Sequence, residues 1–388
     1  MPINPAIRDL VPDAQRWRRE IHANPELLYD LPRTSAFVAD RLREFGCDEV
    51  RTAIGKSGVV GVIKGHKGDG TRAIGLRADM DALPIEEATN LPYRSNVTGR
   101  MHACGHDGHT AMLLGAARYL ANTRDFSGTA IVIFQPAEEG GAGAKAMIDD
   151  GLMDHFAIEE VYGMHNMPYL PLGSFALRKG PLLAAADFFS VSLEGKGGHA
   201  ASPHQCVDSI VAGSQIVTAL QTIVSRNVDP LDSCVVSVTR FSAGTTNNIL
   251  PQTAELVGTV RTLRASARDL AERRVREIVA GVAAASGVTA SIVYARNYPA
   301  TLNHPAQTDF AASVARGVAD ADHVLTDIPP VMWAEDFSFM LEARPGAFIF
   351  IGNGDTAGLH HPGYDFNDQA LPYGIAYWAQ IVETALAA

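Results

Sequence analysis

Apolar positions along the chain keep two rhythms. Ile7, Leu10, Val11, Ala14, Trp17 and Ile21 recur three and four residues apart, the spacing of one helical stripe, and Pro25 bars its continuation. Residues 34–45 predict a second helix, with Thr34 or Ser35 near its N-cap and Gly46 at its end. Short apolar runs at 59–63 and 73–76, bounded by glycine and charge, predict strands. Residues 110–120 are helical in composition, and 129–134 form a strand-type run that stops at Gln135-Pro136. Strands alternating with helices predict an α/β fold with a mostly parallel sheet covered on both faces. Such sheets place their sites beyond the carboxyl ends of strands. Asp79, the pair Glu138 and Glu139, and His165 follow the runs 73–76, 129–134 and 161–163 in that way.

The rhythm changes around residues 182–188. Residues 188–193 alternate as a strand, 207–224 predict a long amphipathic helix, and 235–241 and 255–260 predict further strands. A second long helix over 265–285 and a strand over 290–294 complete a β-α-β-β-α-β order, the split βαβ or ferredoxin-like arrangement. Residues 183–298 therefore read as an inserted α+β domain. Residues 1–182 and 299–388 read as the catalytic part, which resumes with a helix over 308–318, a strand over 347–351 and a helix from Asp368. A chain of 388 residues is long enough for two such cores.

Charge removes some function classes. The net charge of −11 speaks against nucleic acid or an anionic membrane as partner. No apolar run reaches the length of a membrane span and the start lacks a basic-then-apolar signal, so a cytoplasmic protein is expected. Four scattered cysteines fit a reducing compartment. Cys47, Cys206 and Cys234 read as small buried hydrophobes.

Cys104 differs, because the run 101–109 surrounds it with three histidines and an aspartate. Cys104 and His106 offer thiolate and imidazole to a borderline cation such as Zn²⁺. Glu138 and Glu139, on an extended chain, would point opposite ways, so that one could bind metal while the other moved a proton. Asp79 and Asp81, two apart at a strand end, share one side. His165 follows a strand, and His360 and His361 lie in a late loop. In the inserted domain the glycine turn 195–203 presents His199, and Asn248 with Arg261 offers an amide and a guanidinium suited to a carboxylate. Taken singly, most of these have ordinary structural readings as turn, cap or surface residues. Met332, Trp333 and Phe241 hint at an apolar acyl site.

Eight stretches in order carry a resemblance over essentially the whole chain: R-A-D-M-D-A-L-P (77–84), G-R-M-H-A-C-G-H-D (99–107), F-Q-P-A-E-E-G (134–140), G-M-H-N (163–166), G-K-G-G-H-A-A-S-P (195–203), N-N-I-L-P (247–251), A-E-D-F-S (334–338) and H-H-P-G-Y-D-F-N-D (360–368). Together they resemble the aminoacylase/carboxypeptidase family of dinuclear metallopeptidases, in the branch of hippurate hydrolases, N-acyl-L-amino acid amidohydrolases and indole-acetyl-amino-acid hydrolases. The resemblance implies two divalent ions per subunit (Zn, Mn, Co or Ni), with Cys104 bridging them. His106 and His165 would complete one ion's ligands, and Glu139 and His360 the other's, His360 being chosen over His361 by alignment on Pro362. Asp79 and Asp81 would stand behind the ligands. Glu138 would be the general base of amide hydrolysis on N-acyl amino acids. His199 would steady the oxyanion, contributed across a homodimer, and Asn248 and Arg261 would hold the substrate carboxylate. Where the wider family has His-x-Asp and a bridging Asp, this chain has Asp79-Met80-Asp81 and Cys104. A dipeptidase or exopeptidase using the same site, and a non-catalytic binding module, are the alternatives.

Overall fold

The computed structural model describes residues 3–388. They fall into two units, the first made of residues up to Gly180, Leu302–Pro329 and Asp336–Ala388, the second of Pro181–Thr301 with Pro330–Glu335.

The first unit is built on an eight-stranded sheet. In chain order its first strands are β1 (Glu49–Ile54), β2 (Gly58–Lys64), β3 (Ala73–Asp79), β4 (Thr129–Gln135) and β5 (Ile158–Pro168). Across the sheet the order is β1, β2, β4, β3, β5, Gly346–Gly354, Phe175–Ala176 and Val324–Leu325. β4, β3, β5 and Gly346–Gly354 run parallel, while β1 and β2 are added antiparallel at one edge. The central strands are apolar on both faces and almost wholly buried, as a sheet covered on two sides requires. Edge strand β1 is mostly exposed and has no apolar run, so hydrophobic pattern alone passes over it.

Five helices of this unit come early: α1 (Pro5–Arg8), α2 (Val11–His22), α3 (Pro32–Glu44), α4 (His106–Thr123) and α5 (Gly143–Asp149). The single stripe expected from Ile7 to Ile21 is thus two helices. Pro12 lacks an N–H and sits in the first turn of α2, where none is needed, so the chain breaks at Asp9-Leu10 and starts again. α3 starts at Pro32, before the expected cap residues Thr34 and Ser35. The Glu26 carboxylate caps it from a distance, accepting from Arg33 N at 3.1 Å and Thr34 N at 2.8 Å. α4 is buried on nearly every side. Helix Leu371–Ala385 packs against it closely at Gly115, where a Cβ would lie 2.6 Å from Ile375.

The second unit carries its own four-stranded sheet, in the order Cys234–Ala243, Thr253–Thr262, Ala185–Glu194, Thr289–Arg296, every pair antiparallel. Helices Ser209–Thr222 and Ala265–Ser286 complete the β-α-β-β-α-β order and bury Ile216, Leu220, Val275 and Val279 with Val191 and Leu256. The first of them is shorter than residues 207–224, since Asp208 caps it by accepting from Ile210 N and Val211 N, and a wider turn begins at Ile223. Residues 330–335, which the sequence alone puts with the catalytic part, join this unit through Val331 N to Leu182 O at 2.9 Å and Ala184 N to Trp333 O at 2.8 Å. Cys47 and Cys206 are half-buried where burial was expected; of the three, Cys234 alone is buried. No helix among the described residues is long and apolar enough to cross a membrane.

Candidate metal centre

Four segments of the first unit deliver donor atoms to one place. Cys104 lies just before α4, and His106 opens that helix. Between them Gly105 has φ +88°, and a Cβ there would meet Asn166 Nδ2 at 2.4 Å and Tyr364 OH at 2.5 Å, so only glycine fits. His165 is on β5 itself, not after it as expected. The pairing of Arg77 with Gly163 brings Asp79, two residues on, level with His165. Glu138 and Glu139 stand in a turn after β4 with Ala137 at φ +54°, so strand alternation is not what separates them. His360, at φ +62°, comes from the late loop.

These residues form two donor groups with one member in common. The ligand atoms of Cys104, His106 and His165 lie within 4.8 Å of one another, and so do those of Cys104, Glu139 and His360. Cys104 Sγ is 3.4 Å from His165 Nε2, and Glu139 Oε1 is 3.2 Å from His360 Nε2. His361 is turned to its own loop, its Nδ1 accepting from Gly363 N at 3.0 Å.

The remaining ring nitrogens are already engaged. His106 Nδ1 donates to the Asp81 carbonyl at 2.8 Å and His165 Nδ1 to the Asn166 carbonyl at 2.7 Å. Each bond keeps the hydrogen on Nδ1, so that the neutral ring presents its Nε2 lone pair inward, the usual arrangement behind a metal-bound imidazole. His106 Nε2 is buried with no hydrogen-bond partner among the described residues, and buried Glu139 Oε1 faces the His360 ring. Inward lone pairs left unsatisfied in a buried site fit a divalent cation.

The charges agree. Burial pushes the Cys104 thiol well above its usual range, and the carboxylates of Glu139, Glu138 and Asp79 push it further. Burial works against a proton on His106, yet the Asp79 charge and the contact with Asp81 raise it to about 10. Burial lowers His165 well below the ordinary imidazole value, helped by His109. A cation entering these positions displaces protons from thiol and imidazole, so its binding is pH-dependent.

Asp79 and His109 lie beside the donors but are closed off. Asp79 accepts from His109 Nδ1 at 2.6 Å and from Arg77 Nη1 at 2.8 Å, and His109 Nε2 accepts from Asn166 N at 2.9 Å. Asp81 divides its carboxylate between two backbone amides, Glu138 N at 3.0 Å and Glu139 N at 3.2 Å. Both aspartates are fully buried and serve the turn and the histidines.

The model of the family described as Peptidase family M20/M25/M40 matches residues 75–384. The chain belongs to this family. M20 peptidases are hydrolases of amide bonds, and the motifs above resembled this same family. Hippurate hydrolase of Campylobacter jejuni is 44% identical over 381 residues, covering 98% of each chain. N-acetylcysteine deacetylase of Bacillus subtilis is 39% identical over 370 residues, covering 95% of this chain and 96% of the relative. A solved dinuclear metal-binding peptidase of the M20 family from Bacillus subtilis superimposes with a TM-score of 0.85 at 34% identity, over 98% of this chain and 99% of that one.

The other expected site residues of this M20 chain belong to the second unit. His199 is exposed, and its Nδ1 accepts from Ala201 N at 3.1 Å, which leaves the proton on Nε2. Asn248 is exposed, its Oδ1 accepting from Thr246 Oγ1 at 3.0 Å. Arg261 stands half-buried over the Phe188 ring at 5.6 Å and donates to Val260 O at 3.2 Å. Phe241 and Trp333 are exposed. Sequence reasoning missed Asn166, Tyr364 and His109 as supports. Tyr364 OH donates to Asn166 Oδ1 at 2.7 Å, and Asn166 Nδ2 donates to Cys104 O at 2.6 Å. His109 lies three residues after His106, one helical neighbour away, and that spacing was the available signal.

Proposed function

We propose that this chain hydrolyses the amide bond of N-acyl amino acids, releasing a carboxylic acid and a free amino acid, at a centre of two divalent ions. The observation that carries the reading is the pair of donor groups joined at Cys104, with the Glu138 carboxyl beside them. The likeness to relatives named for hippurate and N-acetylcysteine supports the substrate class.

His106 and His165 would hold one ion, Glu139 and His360 the other, and Cys104 both. Held by these residues, divalent ions would supply Lewis acidity toward the scissile carbonyl and a more acidic water. Glu138 then acts as the base, aligned by its backbone bond to Asp81. It takes a proton from the attacking water and delivers it to the amide nitrogen as the bond to carbon breaks. The acyl carbon gains hydroxyl and the nitrogen gains hydrogen, so one water is consumed. His199 of the partner subunit, protonated on Nε2, donates to the oxyanion in a homodimer. Asn248 and Arg261 hold the α-carboxylate, and the enzyme works in the cytoplasm.

A second reading, cleavage of dipeptides, draws support from the solved M20 relative, which is described as a peptidase. One experiment separates the two. The protein is stripped with a chelator, reloaded with Mn²⁺, Co²⁺, Zn²⁺ or Ni²⁺, and assayed on hippurate, a panel of N-acetyl amino acids and free dipeptides. Turnover of acylated substrates restored by metal is the expected result. Turnover of dipeptides alone would replace the proposal with the peptidase reading, and no turnover with any metal would refute both.

A further inference from the structure

Arg18 lies in the apolar stripe of α2 between Trp17 and Ile21 and has no exposed surface. Three aspartates from two other segments converge on its guanidinium. Nε donates to Asp368 Oδ1 at 2.8 Å, and Nη1 to Asp365 Oδ1 at 3.0 Å and to Asp107 Oδ2 at 3.4 Å. The Tyr93 ring covers the guanidinium at 4.5 Å. Asp107 is the second residue of α4, beside His106, whereas Asp365 and Asp368 belong to the segment that carries His360. The charge is not needed for packing, since an apolar residue would complete the stripe, and buried ion clusters are commonly neutral or costly for stability. What it supplies is a fixed geometry between two segments.

The His360 segment needs such a fixture. His360 is exposed and holds a left-handed backbone, with one bond from its N to the Ala103 carbonyl at 2.8 Å. Downstream, Tyr93 OH donates to Asp365 Oδ2 at 2.8 Å, and Gln15 and Arg19 join Arg18 on Asp368. We infer that Arg18 is a positioning residue which clasps the His360 segment to the first turn of α4. It sets the separation of the two donor groups and so governs occupancy of the Glu139/His360 half. The inference rests on the ligand assignment above.

The test is metal binding to the full chain, measured by chelator competition with elemental analysis using Zn²⁺ or Mn²⁺. Arg18→Met should keep the far-UV spectrum and the ion at Cys104, His106 and His165. It should weaken the second ion by roughly 10–100-fold, the scale of an outer partner. Arg18→Lys should recover part of that affinity, because an ammonium meets one carboxylate where the guanidinium fork meets several. In a cycle with His360→Ala, Arg18→Met should weaken the second ion no further, whereas a merely structural role would lower both affinities and act additively. Should Arg18→Met fail to fold, Asp365→Asn removes the clasp from its more exposed side and carries the same expectation. Unchanged affinities, equal loss in both halves, or an additive cycle would overturn the inference. A wild-type chain that takes up no pair of ions would instead overturn the metal assignment, a failure read before any variant is made.

Discussion

Glutamine at position 22 keeps an amide able to donate to Asp107 but cannot carry the charge that His22 carries. The imidazole is fully buried, with Nδ1 2.8 Å from Asp107 Oδ2 and Nε2 3.4 Å from Glu87 Oε1. Burial disfavours its protonation. The Asp107 charge and the hydrogen bonds that the ring donates to both carboxylates outweigh burial and raise it from 6.5 to about 9. Between those values the folded chain keeps a proton that the unfolded chain has released. The stabilisation is therefore complete below about pH 6.5 and is lost as pH rises through 9. At about 1.4 kcal/mol per pKa unit, it amounts to about 3 kcal/mol. Thermal melts of wild type and His22→Gln, both metal-free, should differ by roughly 4–6 °C near neutral pH, with most of the gap closing by about pH 10. His106 has the same sign over an overlapping range, so the difference between the two proteins is the quantity to follow. A gap that stays constant or widens with pH would refute the charge argument.

Glu138→Gln should keep its metal content, because Glu139 remains, while kcat on an N-acyl amino acid falls by at least about 100-fold, the contribution of a positioned general base. Cys104→Ala should lose metal from both halves by more than the roughly 10–100-fold that outer partners carry, as elemental analysis after dialysis would show. The reverse pattern, Glu138→Gln empty and Cys104→Ala full, would exchange those roles. Gly108→Ala should lower the melting temperature by an amount equivalent to about 1–3 kcal/mol, since its Cβ would lie 2.3 Å from the Phe366 ring. An unchanged melt would mean that the loop bearing Phe366 yields freely.

The donors were legible because their residue types announce their chemistry. Cys104, His106, Glu139 and His165 are costly to bury unpaired, so their grouping in motifs points to a cation before any fold is known. Arg18 and His22 were not legible. They occupy the apolar side of a helical stripe, where period alone expects hydrocarbon, and their partners Asp107, Asp365 and Asp368 lie far away in the chain. Strand β1 escaped for a different reason: an exposed edge strand buries too little on either face to alternate.

Glu138 and Glu139 are held apart by a different cause from the one that pattern suggests. Adjacent carboxylates were expected to diverge on an extended chain, yet the left-handed Ala137 has already ended the strand. Asp81 separates them instead, taking one backbone amide on each carboxylate oxygen. The same residue's carbonyl receives His106 Nδ1. One buried aspartate thus holds the Glu138 backbone, the Glu139 backbone and the His106 ring together. The value of a residue in that position lies in holding three other groups still.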